Sequence, residues 1–404
     1  MLPKFLRSFV WAISLTPVVT AVAAAPPGPR TIQRLDGTSI TESDLTARIE
    51  DLVKKANVHG LAISVFNDRE VVYSRTFGVR RTDTKEPLRA DTVFYGASLS
   101  KAVFGVLVMR LVEEDVIDLD TPLHKYLDKP IGALEASRPK AWHEDLKELA
   151  SDPRHLKITA RMCLAHTTGL PNWRWFEEDR KLRIKFEPGT RYSYSGEGLT
   201  FLQVVLERLT KRPLEELARE KIFIPYGMTT SSYTWQARFE ENFCHGHDEA
   251  GKVFEKDKDN AARSASTLET TLEDYTRFLR AVLHRQGLRE PRWKEMFSSQ
   301  IRIESKRQFG PLSAETSRAN EAIRLSYGLA WGVLQSPHGP GVFKEGHGDG
   351  FEHYSILFPE RGIGVLIMAN SANGESAYKD LLELTIADTF TPWEWQDYVP
   401  WDRH

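Results

Sequence analysis

The sequence of 404 residues has only two cysteines, Cys163 and Cys244, and no Cys-x-x-Cys pair. A zinc ribbon, a thioredoxin-like site and a disulfide framework are therefore excluded, and both cysteines are predicted to be free thiols. No charge of one sign dominates, because 54 basic residues stand against 56 acidic ones. This balance disfavours nucleic acid as a partner. Low-complexity tracts and internal repeats are also lacking, and 41% of the residues are hydrophobic, so the chain is globular.

A long apolar run occurs only near the N terminus. Lys4 and Arg7 precede apolar residues 9–25, which Pro17 interrupts and which end in small residues around Ala23. This is the pattern of a secretory signal peptide. The alternative is a membrane anchor, which needs about 20 apolar residues. We predict a signal peptide over residues 1–23, an exported protein that is periplasmic or secreted, and no stable membrane insertion after cleavage.

Strand patterns lie near both ends of the chain, and helical patterns lie between them. We predict strands over residues 61–66, 71–77, 329–334, 341–344, 353–358 and 363–369, and helices over residues 41–55, 98–112, 201–209, 272–283 and 375–390. Thr270 and Glu273 are predicted to form a capping box, and polar residues 128–157 and 301–324 to form surface insertions. These patterns predict an α/β sandwich with an antiparallel sheet built from both termini, flanked by helices, and an all-helical subdomain.

The segment Ser98-Leu99-Ser100-Lys101 begins a helix that is almost wholly apolar until Arg110. Lys101 lies one turn along the same helix face as Ser98, within reach of its hydroxyl. A lysine amine takes a proton from serine once burial or a neighbouring cation lowers its pKa. Backbone N–H groups at the helix N terminus can also hold an oxyanion. The alternative is a capping serine followed by a solvated lysine.

Two later segments carry further candidates. Tyr194 lies in a turn rich in glycine and serine, and a phenol near an ammonium group loses its proton more readily, which suits it to general-base catalysis. The alternative is an ordinary aromatic loop. Lys344 is followed by Glu345 and Gly346 at a strand end, where the lysine supplies charge to a cleft and the glycine admits a substrate to the backbone. The alternative is a charged strand end.

Together these segments resemble the motifs S-x-x-K, Y-x-N and K-T-G of the penicillin-recognising serine hydrolases, in the same order. The class C β-lactamase branch, with its esterase and D-aminopeptidase relatives, is the most similar. Flanking segments agree: residues 166–171 read H-T-T-G-L-P, residues 186–189 read F-E-P-G and residues 327–332 read Y-G-L-A-W-G. The family has H-T-S-G-L-P, F-x-P-G and Y-G-L-G-W-G there. The likeness covers about residues 61–370.

The resemblance implies a β-lactamase/transpeptidase-like fold in which the two ends of the chain meet. Residues 24–404 are then one catalytic unit, with a sheet region of about 40–97 and 325–404 and a helical insertion of about 115–290. It also implies roles for the site residues: Ser98 as acylated nucleophile, Lys101 and Tyr194 as proton-transfer partners, Lys344 as electrostatic support, and the backbone N–H groups of Ser98 and His347 as the oxyanion hole.

Two positions depart from the family motifs, and both bear on substrate binding. Gly196 stands where many members have an asparagine that contacts the substrate. Glu345 replaces a small hydroxyl residue that helps bind a substrate carboxylate, and a glutamate there is expected to repel that carboxylate. With Gly346, these residues are assigned to substrate binding. We therefore expect a serine hydrolase acting on an ester, amide or peptide bond of a small-molecule or peptide substrate.

Alternative functions and sites remain open. One alternative activity is that of a β-lactamase or D-alanyl carboxypeptidase, and another function is non-catalytic binding of cell-wall peptides. His245 and His247 resemble a pair of metal ligands, but we expect a polar loop there. Neither a metal nor a cofactor is predicted. Residues 173–176 are expected either to line the cleft or to pack in the core. The C-terminal tryptophans, residues 393, 395 and 401, are expected to tie the tail to the body.

Overall fold

The computed structural model describes residues 30–135 and 142–403. The predicted signal peptide, residues 1–23, lies outside the described residues. Within the described ranges, no helix combines the length and the apolar character that a membrane span requires.

Helices and strands follow the order predicted from the sequence, with short additional strands. The strands are β1 (Thr31–Gln33), β2 (Ser39–Thr41), β3 (Gly60–Asn67), β4 (Glu70–Arg81), β5 (Glu86–Pro87), β6 (Phe94–Tyr95), β7 (Glu269–Thr270), β8 (Ile301–Arg302), β9 (Ser326–Tyr327), β10 (Gly332–Ser336), β11 (Gly339–Gly348), β12 (Phe351–Phe358) and β13 (Ile363–Ala369). The α-helices are α1 (Glu42–Lys55), α2 (Ser100–Glu113), α3 (Ala160–Leu164), α4 (Gly196–Thr210), α5 (Leu214–Ala218), α6 (Ile224–Tyr226), α7 (Leu272–Leu283), α8 (Glu290–Met296) and α9 (Tyr378–Ile386).

The main sheet joins strands from both ends of the chain. Its nine strands are arranged in the order β5-β4-β3-β13-β12-β11-β10-β9-β8, and each neighbouring pair is antiparallel. The N-terminal and C-terminal parts meet where β3 pairs with β13, with Leu61 opposite Ala369. The predicted sheet built from both termini is confirmed.

Both faces of the central strands are covered, which gives the sandwich. On β3, Ala62 and Phe66 pack in the core on one face, while Leu61, Ile63 and Val65 pack in the core on the other. This alternation follows from the two-residue period of a strand. Helices α2, α4 and α7 contribute to the first core, and α1 and α9 contribute to the second. The predicted flanking helices are confirmed.

Several boundaries differ from the prediction, among them β11, which extends to Gly348, and α4, which begins at Gly196. Three of the differences have a local cause. The N-cap of α7 is Thr271 rather than Thr270, and its hydroxyl accepts from the backbone N–H of Asp274 at 3.1 Å. Residues 329–331 precede β10 instead of belonging to it, and Ala330 has a positive φ of 69°, which interrupts a strand. The closing helix α9 ends at Ile386, because Ala387 adopts a left-handed conformation.

The polar stretch 301–324, predicted as a surface insertion, is mostly exposed or half-buried, but Ile303 and Gln308 are buried. Gln308 is only 3% exposed, and its backbone N–H donates to the carbonyl of Trp395 at 2.8 Å. Trp395 is itself buried and donates from its indole to the hydroxyl of Ser305 at 3.1 Å. The C-terminal tail therefore holds this stretch against the body of the protein, as expected for the tail tryptophans.

Candidate active site

Ser98 lies in a tight turn immediately before the central helix. A 3-10 turn over Ala97–Leu99 leads into α2 at Ser100. Ala97 has a φ of 45°, a strained conformation for a residue with a side chain. Ser100 stabilises the turn, since its hydroxyl donates to the carbonyl of Ala97 at 2.5 Å and accepts from the N–H of Leu268 at 3.0 Å. The turn holds Ser98 at the edge of a cavity while its neighbours are buried.

Lys101 reaches Ser98 as the helical spacing predicts. Its Nζ lies 2.8 Å from Oγ of Ser98 and 2.7 Å from the carbonyl oxygen of Ala265, and the residue is fully buried. Burial, followed by the nearby charge of Lys344, holds the pKa of Lys101 well below its usual range. A neutral amine can donate to Ala265 while its lone pair accepts from the Ser98 hydroxyl, which is the geometry of a general base.

Tyr194 lies between the two lysines, but the expected fall in its pKa does not occur. Burial, and next the negative charge of Glu345, hold the pKa of Tyr194 well above its usual range, although a hydrogen bond with Ser98 lowers it. Nζ of Lys344 donates to the Tyr194 hydroxyl at 3.0 Å. The buried ring of His166 packs against the Tyr194 ring, with centroids 4.4 Å apart. The raised pKa keeps Tyr194 protonated, so its hydroxyl can act as a hydrogen-bond donor in the site.

Lys344 and Glu345 form a fully buried ion pair. Nζ of Lys344 lies 3.0 Å from Oε1 of Glu345, and Nε2 of Gln308 donates to the same carboxylate oxygen at 2.8 Å. Burial raises the pKa of Glu345, but the charge and hydrogen bond of Lys344 and the hydrogen bond from Gln308 together outweigh it and leave the pKa below its usual value. The carboxylate is thus held behind the site by two donors. Sequence reasoning missed Gln308, because no local pattern distinguishes it from the polar residues around it.

Gly346 brings strand β11 close to the turn Ala97–Leu99, which is called the nucleophile turn below after its candidate nucleophile, Ser98. A Cβ at this position would lie 3.0 Å from the carbonyl oxygen of Gly96, 3.1 Å from the N of Leu99 and 3.2 Å from the N of Ser98. A residue with a side chain would therefore push the strand and the turn apart. The next residue, His347, lines the same cavity as Ser98. Burial lowers the pKa of His347 to about 4.

Gly196 is covered by an aromatic ring. A Cβ at Gly196 would lie 2.7 Å from Cη2 of Trp173, and the indole of Trp173 stacks on that of Trp175, with centroids 4.8 Å apart. Nζ of Lys101 lies 5.8 Å from the centroid of the Trp173 ring. The space beside Gly196, where family members have an asparagine side chain, is therefore filled by Trp173.

Ser98 opens into a cavity of about 660 Å³. Its lining combines aromatic side chains with acidic and amide groups: Trp173, Phe176, Tyr194, Phe309, Glu177, Glu375, Asp397, Asn172, Gln308 and Gln396, together with Ser98, Pro171, Lys185, Ser193, Gly310, Ser313 and His347. Gly196, Glu345 and Gly346, assigned above to substrate binding, lie behind this lining. Gly196 lies against Trp173, Glu345 pairs with Lys344, and Gly346 packs against the turn that holds Ser98.

The other candidates from the sequence have structural roles. His247 is buried, with Nε2 accepting from the N–H of Thr82 at 3.1 Å and Nδ1 lying 2.6 Å from the carbonyl oxygen of Asn370. Both ring nitrogens of His247 are thus engaged by other residues of the protein. Cys163 and Cys244 are buried free thiols, as predicted.

Comparison with known proteins identifies relatives of the chain. A family model described as Beta-lactamase matches residues 45–388. The chain is 26% identical over 220 residues to Esterase EstB of Burkholderia gladioli, an alignment that covers 48% of this chain and 52% of the esterase. It is 30% identical over 209 residues to the D-aminopeptidase of Brucella anthropi, covering 51% of this chain and 38% of that enzyme. The chain thus spans about half the length, or less, of these relatives.

Other relatives match over most of their length. The D-alanyl-D-alanine-carboxypeptidase/endopeptidase AmpH of Escherichia coli is 22% identical over 350 residues, covering 81% of this chain and 83% of that protein. Among solved structures, the penicillin-binding protein homologue from Pyrococcus abyssi has a TM-score of 0.66 at 20% identity, covering 85% of this chain and 76% of that one. The D-alanine carboxypeptidase AmpC from Burkholderia cenocepacia has a TM-score of 0.64 at 19% identity, covering 84% and 97%. The predicted β-lactamase/transpeptidase-like fold is confirmed.

Proposed function

Because the chain belongs to the beta-lactamase family, we propose that it is a serine hydrolase that cleaves an ester, amide or peptide bond through a covalent acyl-enzyme on Ser98. The observation that carries this proposal is the contact between Ser98 and Lys101, with Nζ 2.8 Å from Oγ and fully buried. A lysine in this position, with its pKa held well below the usual range, is a base poised beside its nucleophile.

The first half of the reaction forms the acyl-enzyme. Lys101 accepts the proton of the Ser98 hydroxyl as Oγ attacks the substrate carbonyl carbon. The backbone N–H groups of Ser98 and His347 stabilise the negative charge that develops on the carbonyl oxygen. Tyr194, linked to Ser98 and Lys344, donates its proton to the leaving group as the scissile bond breaks. Tyr194 then recovers a proton from Lys101, which restores the neutral amine.

The second half consumes a water molecule. Lys101, neutral again, accepts a proton from water as the water oxygen attacks the acyl carbon of the ester on Ser98. The tetrahedral intermediate formed by this attack collapses and breaks its bond to Oγ. Oγ takes a proton from Lys101, and the acid product leaves.

The charge arrangement favours substrates without a carboxylate near Lys344. The Glu345 carboxylate neutralises this lysine inside the protein, and Lys185, the lysine in the cavity lining, is paired with Glu177. Aromatic side chains, among them Trp173 and Phe309, offer apolar contact instead. We therefore place neutral esters and amides ahead of β-lactams and D-alanyl peptides, because Lys344 and Lys185 are each already paired with a carboxylate of the protein.

A covalent probe provides the primary test. A serine-directed fluorophosphonate is expected to label the wild-type protein once per chain, at Ser98 by peptide mass spectrometry, and Ser98→Ala is expected to lose both labelling and hydrolysis. Ser313→Ala, which alters another serine lining the cavity, is the matched control and should retain both. Unchanged turnover in Ser98→Ala contradicts the proposal, and a folded wild type that is never labelled favours the non-catalytic binding function.

A substrate panel separates the alternative activities. The relative AmpH matches over most of the chain and is named a D-alanyl-D-alanine-carboxypeptidase/endopeptidase. That activity is therefore the second candidate. A chromogenic cephalosporin, a short-chain aryl ester and a D-alanyl peptide are compared with the wild type and Ser98→Ala. The aryl ester is expected to give the highest kcat/KM.

Export belongs to the same proposal and is tested separately. Expressed with its full N-terminal sequence in a bacterial host, the protein is expected in the periplasm or medium, beginning at Ala24. An uncleaved chain that stays in the cytoplasm would contradict the predicted signal peptide.

A further inference from the structure

Three potential metal-binding side chains converge at the cavity mouth. His347 lies near the end of β11, Glu352 near the start of β12, and Glu375 in the turn before α9. His347 and Glu352 are direct cross-strand partners in the sheet register. Nε2 of His347 lies 3.3 Å from Oε2 of Glu352 and 3.7 Å from Oε2 of Glu375.

The spacing of these atoms suits a small divalent cation. The three ligand atoms all lie within 4.8 Å of one another. A tetrahedral zinc ion with bonds of about 2.0–2.1 Å has ligands separated by about 3.3 Å, close to the two distances from Nε2 of His347. One imidazole and two carboxylates also form a donor set that zinc accepts, with a fourth position left for water.

The surroundings of the cluster leave its carboxylates short of positive charge. Within residues 30–135 and 142–403, neither Glu352 nor Glu375 forms an ion pair with a lysine or arginine, and Oε2 of Glu352 is enclosed without a hydrogen-bond partner. Polar neighbours of the cluster include Tyr398, with its hydroxyl 3.2 Å from Nε2 of His347, and Asp397, whose negative charge acts on Glu375. His347 and Glu375 line the cavity that opens at Ser98, so an ion has a path from solvent.

We propose that His347, Glu352 and Glu375 form a binding site for a divalent transition-metal ion, of which Zn²⁺ fits best. The ion replaces the Tyr398 hydroxyl as the partner of Nε2 and supplies the charge that the two carboxylates lack. It fixes the His347 side chain, and so the end of β11, beside the nucleophile turn. The site does not depend on acyl-enzyme chemistry at Ser98.

The test measures metal binding directly and in the absence of turnover. Metal-stripped full-length Ser98→Ala protein is titrated with Zn²⁺ by calorimetry, and with Co²⁺ while its visible absorption is recorded. We expect one ion per chain and the intense absorption of four-coordinate cobalt. Glu375→Gln and Glu352→Gln are each expected to weaken Zn²⁺ affinity about 100-fold, the upper end of the loss seen for disrupted metal surroundings.

A matched control and a folding check make the result decisive. Glu177→Gln removes a carboxylate from another part of the same cavity lining and is expected to change Zn²⁺ affinity less than threefold. Circular dichroism shows whether each variant is folded, and having two glutamate variants guards against the loss of one to misfolding. Absence of stoichiometric binding, or an affinity that both glutamate variants retain, would overturn the site and indicate an adventitious ion or a proton shared between the carboxylates.

Discussion

Lys101 and Lys344 lie close together, but their partners differ. Lys344 is paired with the Glu345 carboxylate, whereas Lys101 contacts the hydroxyl of Ser98 and a backbone carbonyl. Only Lys344 therefore has a counter-charge in direct contact. Burial and a neighbouring cation, in place of an anion, hold the pKa of Lys101 well below its usual range.

The low pKa of Lys101 has a measurable effect on stability. Below a pH of about 10.4 the unfolded chain protonates this lysine, while the folded protein keeps it neutral down to its lowered pKa. The unfolded state binds more protons, so this lysine makes the free energy of unfolding rise with pH, by about 1.4 kcal/mol per pH unit within that window. Denaturant unfolding measures the free energy of unfolding of wild type and Lys101→Met at pH 8 and pH 9. The value for wild type minus the value for Lys101→Met should rise between the two pH values by this amount. The exposed Lys129→Met is the control, and a pH-independent difference for Lys101→Met would mean that Lys101 is charged when folded.

Glu345 is expected to control discrimination against carboxylates. In Glu345→Thr the ammonium of Lys344 loses its buried partner and becomes available to an anionic substrate. An aryl pentanoate and the corresponding aryl glutarate differ by a terminal carboxylate, and the glutarate-to-pentanoate ratio of kcat/KM is expected to rise about tenfold, or about 1.4 kcal/mol. Glu345→Asp keeps the negative charge and should leave the ratio near that of wild type. A ratio unchanged in Glu345→Thr would remove Glu345 from the account of specificity.

At the scale of elements, the approach of β11 to the nucleophile turn sets the geometry of the site. Gly346→Ala places a methyl group 3.0–3.2 Å from three backbone atoms of residues 96–99, so the strand must move by a few tenths of an ångström. We expect kcat/KM to fall about tenfold, since a misplacement of about 1 Å costs about 100-fold. In Gly341→Ala, on the same strand, the three atoms nearest to the methyl group belong to the side chains of Leu334 and Phe358 rather than to the backbone. Steady-state kinetics should show little change for this control, and equal losses in both variants would indicate a general effect on the strand.

Elements governed by their own residues were predictable from the sequence. Helix α7 covers the predicted residues 272–283, and α1 begins after its Thr41 cap, whose hydroxyl accepts from the N–H of Asp44 at 3.1 Å. The α7 cap was misplaced by one residue because two adjacent threonines both offer a hydroxyl. Thr270 pairs with Phe94 across β6 and β7, and this tertiary contact leaves Thr271 at the helix boundary.

The candidate site likewise contains contacts that the local sequence predicts and contacts that only the folded chain creates. Ser98 and Lys101 are one helical turn apart, so their contact follows from spacing alone. Gln308 becomes part of the site because the backbone of Trp395 binds it, and the raised pKa of Tyr194 reflects burial that only the assembled fold creates. Contacts between segments far apart in the chain produce no local pattern in the sequence from which they could be predicted.

At the scale of the whole molecule, the interleaved sheet predicts that the two ends stay together without a continuous chain. Residues 316–321 form a mostly exposed polar loop between β8 and β9. This loop is a suitable place for an engineered protease site. After cleavage between Ser317 and Arg318, the fragments are expected to co-elute in size-exclusion chromatography and to retain activity within about twofold, because the β3–β13 pairing is intact. Dissociation under native conditions would contradict this.

The pairing of β3 with β13 also bears on when the catalytic centre forms during synthesis. A chain emerging from the ribosome exposes Ser98 and Lys101 long before Lys344, His347 and β13 exist. Long-range strand pairing is a slow step in folding, because the intervening segment must be ordered first. A partly made chain thus carries Ser98 without the neighbouring strand that completes its surroundings, so the candidate site is assembled only near the end of translation.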